Sequence, residues 1–257
     1  MFTVNTYKLQ HHQNILVVDM VKALWFIPSP RDFQLFKWWM EKVDFIDKLW
    51  IRFKPSHIAY EEGVNFFLSK DYDYMLISTD DILATPFHIQ LLLEDVEKFK
   101  FDVVGGWINY DFNNPVGYRY ASLTFKPPRG FNPKNPLSIH SARQYPFITI
   151  REVVTGNWET PLIKVWFNGL ALTMIKRWLV EKTKLQPFRI IKDMMFERGV
   201  MYDLKFSSDC EQLGVDYYVD LRCFCLHFGD TRKLLKVNRE KPYTLFIPAK
   251  GEPVRLN

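Results

Sequence analysis

The sequence predicts an α/β fold in which a mostly parallel, Rossmann-like sheet is flanked by helices. The first half of the chain alternates short apolar strands with amphipathic helices, which is the pattern of βαβ units. The 257 residues are 47% apolar, which is enough for one sizeable core. We therefore expect a single domain over residues 1–257.

Strand and helix signals follow one another regularly in the first half. In chain order, the predicted elements are a strand at 23–27, a helix at 33–43, a strand at 48–53, a helix at 57–70, a strand at 72–78, a helix around 89–96 and a strand from 101.

The second half has a different texture. Residues 109–160 are rich in Pro, Gly, Asn and aromatic residues, so we expect loops and short strands that form either a lid or a satellite core. After them, the pattern predicts helices around 172–179 and 202–213, and then a strand pair at 216–220 and 221–226.

The charge distribution argues against a nucleic-acid-binding protein. The net charge of +5 is modest, and basic residues are interleaved with acidic ones except between Thr231 and Lys241. Proteins that track phosphates need a concentrated basic face. We expect no nucleic-acid partner, and residues 231–257 are interpreted as a basic C-terminal tail, either solvated or in peripheral contact with a membrane.

The cysteines indicate a cytoplasmic protein. Cys210, Cys223 and Cys225 are odd in number and no secretory leader is recognised, so we expect reduced thiols in a cytosol-like compartment. Two of them alternate with apolar residues in a strand pattern, which argues against a zinc site. Apolar runs are also too short to predict a membrane span.

The most informative segment is an apolar strand that ends in two adjacent acids, Asp80 and Asp81. Ligand sites in open α/β sheets lie at the carboxyl ends of strands. Adjacent carboxylates repel each other unless a cation or hydrogen bonds stabilise them, and a divalent ion shared with substrate phosphates is a common solution. The alternative role of helix caps is weakened by Thr85-Pro86, which already supplies an N-cap and a first-turn proline. The pair therefore favours a metal and nucleotide site.

From about residue 23 to residue 227 the chain resembles the GT-A glycosyltransferases, in particular the broad group of inverting enzymes that use nucleotide sugars. In that family a strand ending in proline opens the nucleotide-binding half, as Trp25-Phe26-Ile27-Pro28-Ser29 does here. An Asp-x-Asp motif after a later strand binds ribose and the metal-bound diphosphate. Thr79-Asp80-Asp81 occupies that place, with Thr79 where the first aspartate is usual.

The resemblance implies a division of the chain and a divalent metal. Residues 14–108 would form the nucleotide-binding half and residues 109–230 a mixed acceptor-side half. The metal, Mn²⁺ or Mg²⁺, would bind Asp81, and His227 is implied as a further metal contact. The implied nucleotide-binding residues are Pro28, Ser29, Asp80 and Asp81.

Two further landmarks of the family have counterparts. An apolar strand, an Asn168-Gly169 turn and a predicted helix match the segment that lies beside the sugar and the acceptor. The alternative is a tight strand-to-helix connection in which glycine supplies a positive φ. The residues expected on the sugar and acceptor side are Trp107, Trp166, Asn168 and Gly169.

The second landmark is an acidic residue that opens a helix, and Asp203 matches it. Its implied role is that of catalytic base, which requires an ionised carboxylate within reach of the acceptor hydroxyl. A simple first-turn charge is the structural alternative. Other acids near Asp203 in the sequence that remain candidates for the base are Asp193, Glu197 and Asp209.

The resemblance implies transfer of a sugar from a nucleotide-sugar donor to a carbohydrate, lipid-linked or protein acceptor. It also implies inversion at the anomeric carbon by direct displacement. Two alternatives stay open. A nucleotidyltransferase would use the same acids, but the chain lacks a glycine-rich basic loop after its first strand. A catalytically silent carbohydrate- or protein-binding module is suggested by Thr79 and by the aromatic stretch at 109–160.

Overall fold

The computed structural model describes residues 21–29, 34–110, 120–134, 145–170, 172–192, 197–227 and 241–256. The helices are α1 (Gln34–Glu41), α2 (Ser56–Leu68), α3 (Pro86–Phe99), α4 (Ile150–Thr155), α5 (Arg177–Thr183) and α6 (Tyr202–Leu213). The strands are β1 (Ala23–Ser29), β2 (Asp47–Arg52), β3 (Tyr74–Ser78), β4 (Ile82–Leu83), β5 (Val103–Tyr110), β6 (Tyr120–Ala121), β7 (Leu123–Thr124), β8 (Leu162–Val165), β9 (Phe167–Asn168), β10 (Leu172–Lys176), β11 (Arg189–Lys192), β12 (Glu197–Val200), β13 (Tyr217–His227), β14 (Tyr243–Ile247) and β15 (Val254–Leu256).

One large sheet dominates the fold, with the strand order β15-β14-β2-β1-β3-β10-β5-β13-β4. β1 pairs in parallel with both β2 and β3, and β5 pairs in parallel with β13. β10 runs antiparallel between β3 and β5. Six strands (β1, β2, β3, β5, β13 and β15) therefore share one direction, and the edge at which they end is called the carboxyl edge below. The sheet is mixed, because β4, β6, β8, β10 and β14 run the other way.

Helices cover both faces of this sheet, which makes the fold a three-layer α/β structure. Alternation along β1 sends Leu24 and Phe26 into one apolar cluster and Trp25 and Ile27 into the other. The first cluster is completed by residues of α2, α5 and α6, and the second by residues of α1 and α3. Burying each such side chain contributes about 1.5–3 kcal/mol, so the two clusters hold the strand ends in place.

The start of α3 confirms the predicted cap. Thr85 is the N-cap, its Oγ1 accepts a hydrogen bond from the backbone N–H of His88 at 3.3 Å, and Pro86 is the first helical residue. Asp80 and Asp81 precede this cap and are not needed to begin the helix.

The helix predicted from residue 172 is wrong in its first part. Leu172 to Lys176 form the strand β10, and α5 begins only at Arg177. β10 lies between two other strands and is buried on both faces, so its sequence is a continuous apolar run. Such a run cannot be told from a buried helix by its periodicity.

The end of the chain also differs from the prediction. The strand pair expected at 216–226 is one strand, β13, with an irregularity in its register between Val219 and Phe224. The predicted tail includes β14 and β15, which extend the sheet beside β2. Residues 231–240 of that tail lie outside the described residues, as does Asp193.

The described parts of the aromatic stretch pack onto the core. Ala121, Leu123 and Val153 are buried in the first apolar cluster, and Trp158 packs against it. Thr149 caps α4 in a capping box with Glu152. These parts correspond to the satellite-core alternative. None of the helices within the described ranges is long and apolar enough to cross a membrane.

Candidate functional site

The ends of β1 and β3 are joined by a buried hydrogen bond at the carboxyl edge. Ser29 Oγ donates to Asp80 Oδ2 at 2.9 Å, and each residue is only 1% exposed. Trp25 Nε1 donates to Ser78 Oγ at 2.8 Å just below. Because Asp80 and Ser29 face each other inside the protein, this bond positions the two strand ends relative to each other.

Pro28 lies inside β1, which continues two residues beyond the predicted strand end at Ile27. The pairing of β1 with β3 reaches only Phe26 and Ile77, whereas the pairing with β2 continues to Ser29 and Arg52. The missing N–H of Pro28 therefore interrupts no pairing with β3.

Asp81 faces His227, and this pair is the centre of the candidate site. The distance between Asp81 Oδ2 and His227 Nε2 is 3.6 Å, with 15% of the Asp81 side chain and 22% of the His227 side chain exposed. Thr79 Oγ1 donates to the other carboxylate oxygen of Asp81 at 2.6 Å. The pairing of β4 with the end of β13 opposes Ile82 to His227 and so brings the two side chains together.

Asn109 near the end of β5 is a site residue that the sequence reasoning missed. It is 5% exposed, and its Oδ1 accepts a hydrogen bond from the backbone N–H of His227 at 3.4 Å. A polar residue that follows an apolar strand was the available signal, the same one that singled out Asp80 and Asp81.

Asp203 lies on the helix-α2 side of the same edge. Tyr60 stacks on Tyr202 with ring centroids 4.0 Å apart. Burial is the main cause that raises the pKa of Tyr60, and the charges of Tyr202, Asp203 and Asp81 raise it further. Asp203 and Asp81 are therefore both within electrostatic range of one phenol group.

The carboxyl group of Asp203 is partly withdrawn from water. Desolvation raises its pKa, and hydrogen bonds from backbone N–H groups oppose this shift in part. One of these bonds comes from Leu204 N to Asp203 Oδ1 at 2.8 Å. A carboxylate with a raised pKa is a stronger base than an ordinary aspartate.

Two of the other candidate bases, Glu197 and Asp209, are paired with basic side chains. Glu197 Oε1 lies 2.7 Å from Lys192 Nζ and 3.4 Å from His57 Nε2, and the Lys192 contact lowers the pKa of Glu197. Asp209 forms an ion pair with Lys205 one turn earlier on α6. The lowered pKa makes Glu197 a weaker base than Asp203.

Trp107 and Trp166 lie in different places. Trp107 is 4% exposed, and its Nε1 donates to Leu221 O at 2.9 Å within the core. Trp166 lies beside the last turns of α6, where its Nε1 donates to Glu211 Oε2 at 2.9 Å. Within the described part of the chain, neither ring contacts Asp81 or His227.

Asn168 holds three segments together. It is completely buried, its Nδ2 donates to Gly106 O at 2.6 Å, and its Oδ1 accepts from Ser122 Oγ at 2.9 Å and from Gly169 N at 3.0 Å. The turn leads into the strand β10 and not into a helix, and its positive φ of 45° belongs to Leu170, not to Gly169. The hydrogen bonds of Asn168 favour a structural role.

Asp81 and His227 offer a carboxylate and an imidazole to a divalent ion. Among the residues that the structure describes, no group of three or more His, Cys, Asp or Glu side chains is arranged to hold a metal. A pair of protein ligands fits an ion that is completed by diphosphate oxygens and water, as Mg²⁺ commonly is.

Comparisons with known proteins give a distant structural similarity. No family model and no curated protein matches the chain. Among solved structures, the chain is similar to the crystal structure of A197 from STIV, at 19% identity and a TM-score of 0.46, over 92% of this chain and 95% of that chain. This similarity carries no information on activity.

Proposed function

We propose that this protein is a metal-dependent glycosyltransferase of the GT-A type, which transfers a sugar from a nucleotide-sugar donor to a hydroxyl group with inversion at the anomeric carbon. The acceptor is a carbohydrate, a lipid-linked molecule or a protein. The observation that carries the proposal is the convergence of Asp81 and His227 at the carboxyl edge, 3.6 Å apart. Ligands of open α/β sheets bind at this edge.

Asp81 and His227 would hold the divalent ion, Mn²⁺ or Mg²⁺, together with oxygens of the donor diphosphate. When bound, such an ion stabilises the negative charge of the departing diphosphate. Thr79 fixes the carboxylate of Asp81 through its 2.6 Å hydrogen bond. An ionised carboxylate has about four lone-pair sites, so Asp81 can accept this bond and still bind a cation.

Asp203 is proposed as the general base. Its carboxylate removes the proton of the acceptor hydroxyl while the hydroxyl oxygen forms a bond to the anomeric carbon, and the bond from that carbon to the diphosphate oxygen breaks. Desolvation raises the pKa of Asp203, which increases its affinity for the proton. Ser29 and Asp80 are both buried and would support the nucleotide site from inside the protein, through their hydrogen bond between the ends of β1 and β3.

A catalytically silent binding module of the same fold is the second candidate. The observation that favours it is Thr79, which stands where the family's first acid is usual and is engaged with Asp81. In that case the chain would recognise a carbohydrate or a protein surface without transfer.

We also propose a cytoplasmic location, with peripheral membrane contact through the basic stretch from Thr231 to Lys241. Cys210, Cys223 and Cys225 are all free and buried, which agrees with a reducing compartment. We also propose that the protein has no nucleic-acid partner, because basic and acidic residues are interleaved along most of the sequence.

Hydrolysis of a panel of nucleotide sugars in the presence of Mn²⁺ tests the proposed function. We expect release of a nucleoside diphosphate from at least one donor, its loss with EDTA and its loss in Asp81→Asn. Asp71→Asn is the matched control, because Asp71 precedes β3 at the opposite end, where its exposed carboxylate pairs with the exposed Lys22 at 2.7 Å. Binding of donor without hydrolysis or transfer would favour the silent module. Release of a nucleoside monophosphate or of pyrophosphate would favour nucleotidyl chemistry.

A further inference from the structure

A cleft of about 450 Å³ lies at the end of the sheet opposite the carboxyl edge. It is formed where β8 and the last turns of α6 meet the start of β13, and Val165, Gly214 and Tyr217 line it. Val165 pairs with Tyr217, the first residue of β13, whereas His227 is the last. Tyr217 pairs with Val103 and Cys225 with Ile108, so the start of β13 lies roughly 20 Å from its end at His227. The cleft is therefore separate from the Asp81–His227 pair, although Ser207 in its lining lies one helical turn after Asp203.

Three aromatic side chains line the cleft: Phe125, Trp166 and the buried Tyr217. Phe125 is 43% exposed and so has ring surface available to a ligand. Trp166 is held by its hydrogen bond to Glu211 and by an edge-on contact with Phe131, with ring centroids 5.3 Å apart. A ring that is already fixed loses little conformational freedom when a ligand packs on it.

Hydrogen-bonding groups surround this apolar surface. Lys164 Nζ and Asp216 Oδ1 lie 2.5 Å apart, so their charges compensate each other while both side chains keep further bonding capacity. Ser207 also lines the cleft, is 1% exposed, and its hydroxyl makes no hydrogen bond within the described part of the chain. A buried hydroxyl without a partner is unfavourable, and a hydroxyl group of a ligand could satisfy it.

We propose that this cleft binds a neutral saccharide of one or two pyranose units. A pyranose has an apolar face of C–H groups, which can cover an aromatic ring, and a rim of hydroxyl groups that both donate and accept hydrogen bonds. The lining of the cleft combines aromatic rings with hydrogen-bonding side chains, and its volume lies in the range of small-molecule sites. The inference does not depend on the proposed transferase activity, because it requires binding alone.

The charges of the lining disfavour an anionic ligand. Glu211 and Asp216 are acidic, and Lys164 is the basic side chain among the lining residues. Lys164 is already paired with Asp216, so it does not neutralise the negative charge of Glu211. A phosphate or a nucleotide would therefore meet repulsion here, whereas a neutral saccharide would not.

Ligand-observed NMR and calorimetry with the full chain, without nucleotide or metal, test the proposal. The probes are methyl glycosides of glucose, galactose, mannose and N-acetylglucosamine, together with maltose, cellobiose and lactose. We expect at least one of them to bind, and Trp166→Ala to weaken that binding by about tenfold or more. Trp166→Phe should retain more affinity than Trp166→Ala, because it keeps a ring.

Two variants serve as controls for this experiment. Trp38→Ala removes an exposed tryptophan from α1, on the other face of the sheet, and should leave the affinity within about twofold. Asp81→Asn should leave it unchanged. If Trp166→Ala fails to fold, Glu211→Gln is the second variant. Its amide oxygen can still accept the hydrogen bond from Trp166, but the negative charge is lost. We expect it to weaken saccharide binding several-fold, because hydrogen bonds to a charged acceptor are stronger.

Three results would overturn the proposal. The first is that none of the glycosides binds. The second is binding that is as strong in Trp166→Ala and Glu211→Gln as in the wild type. Binding that disappears in Asp81→Asn counts with it, because it would place the saccharide at the carboxyl edge. The third is preference for a lysine- or arginine-containing peptide, which would assign the aromatic and acidic lining to a cationic partner.

Discussion

Asp81 and His227 come from opposite halves of the chain, yet their carboxylate and imidazole lie 3.6 Å apart. Asp81 follows β3, His227 ends β13, and the antiparallel pairing of β4 with β13 sets the distance between them. Because a backbone ladder holds both side chains, the pair is arranged before any ligand arrives. Such preorganisation reduces the free-energy cost of binding a cation and a diphosphate.

The first prediction concerns this pair. Asp81→Asn and His227→Ala should each weaken the Mn²⁺-dependent binding of a nucleoside diphosphate by about tenfold or more. The double variant should lose less than the two single losses combined, since residues that share one ligand are not additive. Calorimetric titration with Mn²⁺ and each common nucleoside diphosphate measures this. Asp71→Asn is the control, and unchanged affinity in a folded Asp81→Asn variant would remove Asp81 from the site.

The second prediction concerns Asp203. Asp203→Asn should lower turnover on the order of a hundredfold or more, because a general base acts in the transition state. Binding of the donor should change little. Since desolvation raises the pKa of Asp203, turnover of the wild type should fall with decreasing pH at a higher pH than an ordinary aspartate would require.

Steady-state kinetics over a pH series measure both effects. Asp209→Asn is the matched control on the same helix, where Asp209 pairs with Lys205. Normal transfer by Asp203→Asn, together with loss of transfer in Asp209→Asn or Glu197→Gln, would assign the base elsewhere.

The third prediction separates a structural from a sugar-binding role for Asn168. Asn168→Ala leaves the buried carbonyl of Gly106 and the hydroxyl of Ser122 without this partner, so we expect a loss of about 2–4 kcal/mol in the free energy of unfolding. Gly169→Ala is the neighbouring control. A Cβ there would meet only Ser122 Cβ at 3.8 Å, so the loss should stay within about 1 kcal/mol. Urea unfolding measures both, and a stable Asn168→Ala variant that has lost activity would instead indicate a sugar contact.

The fourth prediction concerns a buried acid on α3. Asp95 is 3% exposed, and its Oδ2 has no hydrogen-bond partner within the described ranges. Asp220, which is completely buried, lies beside it, and Arg222 Nη2 is 3.3 Å from Asp95 Oδ1. Burial, and then the neighbouring Asp220, raise the pKa of Asp95 from 3.8 to about 7.

A raised pKa means that the folded state holds the proton of Asp95 more tightly than the unfolded state does. The resulting stabilisation is full below about pH 4 and is lost as the pH rises towards about 7. Between pH 5 and pH 8 the wild type should therefore lose roughly 2–4 kcal/mol relative to Asp95→Asn, which cannot ionise. Urea unfolding at both pH values measures the difference. Glu97→Gln on the same helix is the control, and identical pH dependence of wild type and Asp95→Asn would contradict the prediction.

Local patterns in the sequence predicted much of the first half of the fold. The positions of β1, β2 and β3 and of the helices between them follow from the spacing of apolar residues, and these predictions are confirmed within a few residues. The cap at Thr85 is confirmed as well, and Gly214 ends α6 with a φ of 69°, a conformation that glycine adopts readily. Signals of this kind depend on a few neighbouring residues and so can be recognised in the sequence itself.

Other features depend on which segments of the chain pack together, and only the tertiary structure decided them. β10 has the apolar run of a buried helix, and only its place between β3 and β5 makes it a strand. The hydrogen bonds of Asn168 and the cleft beside Trp166 likewise join segments far apart in the chain. Single-segment periodicity contains no information on strand order or on the partner of a polar side chain. Those choices come from long-range packing, which buries apolar faces and satisfies polar groups across the whole molecule.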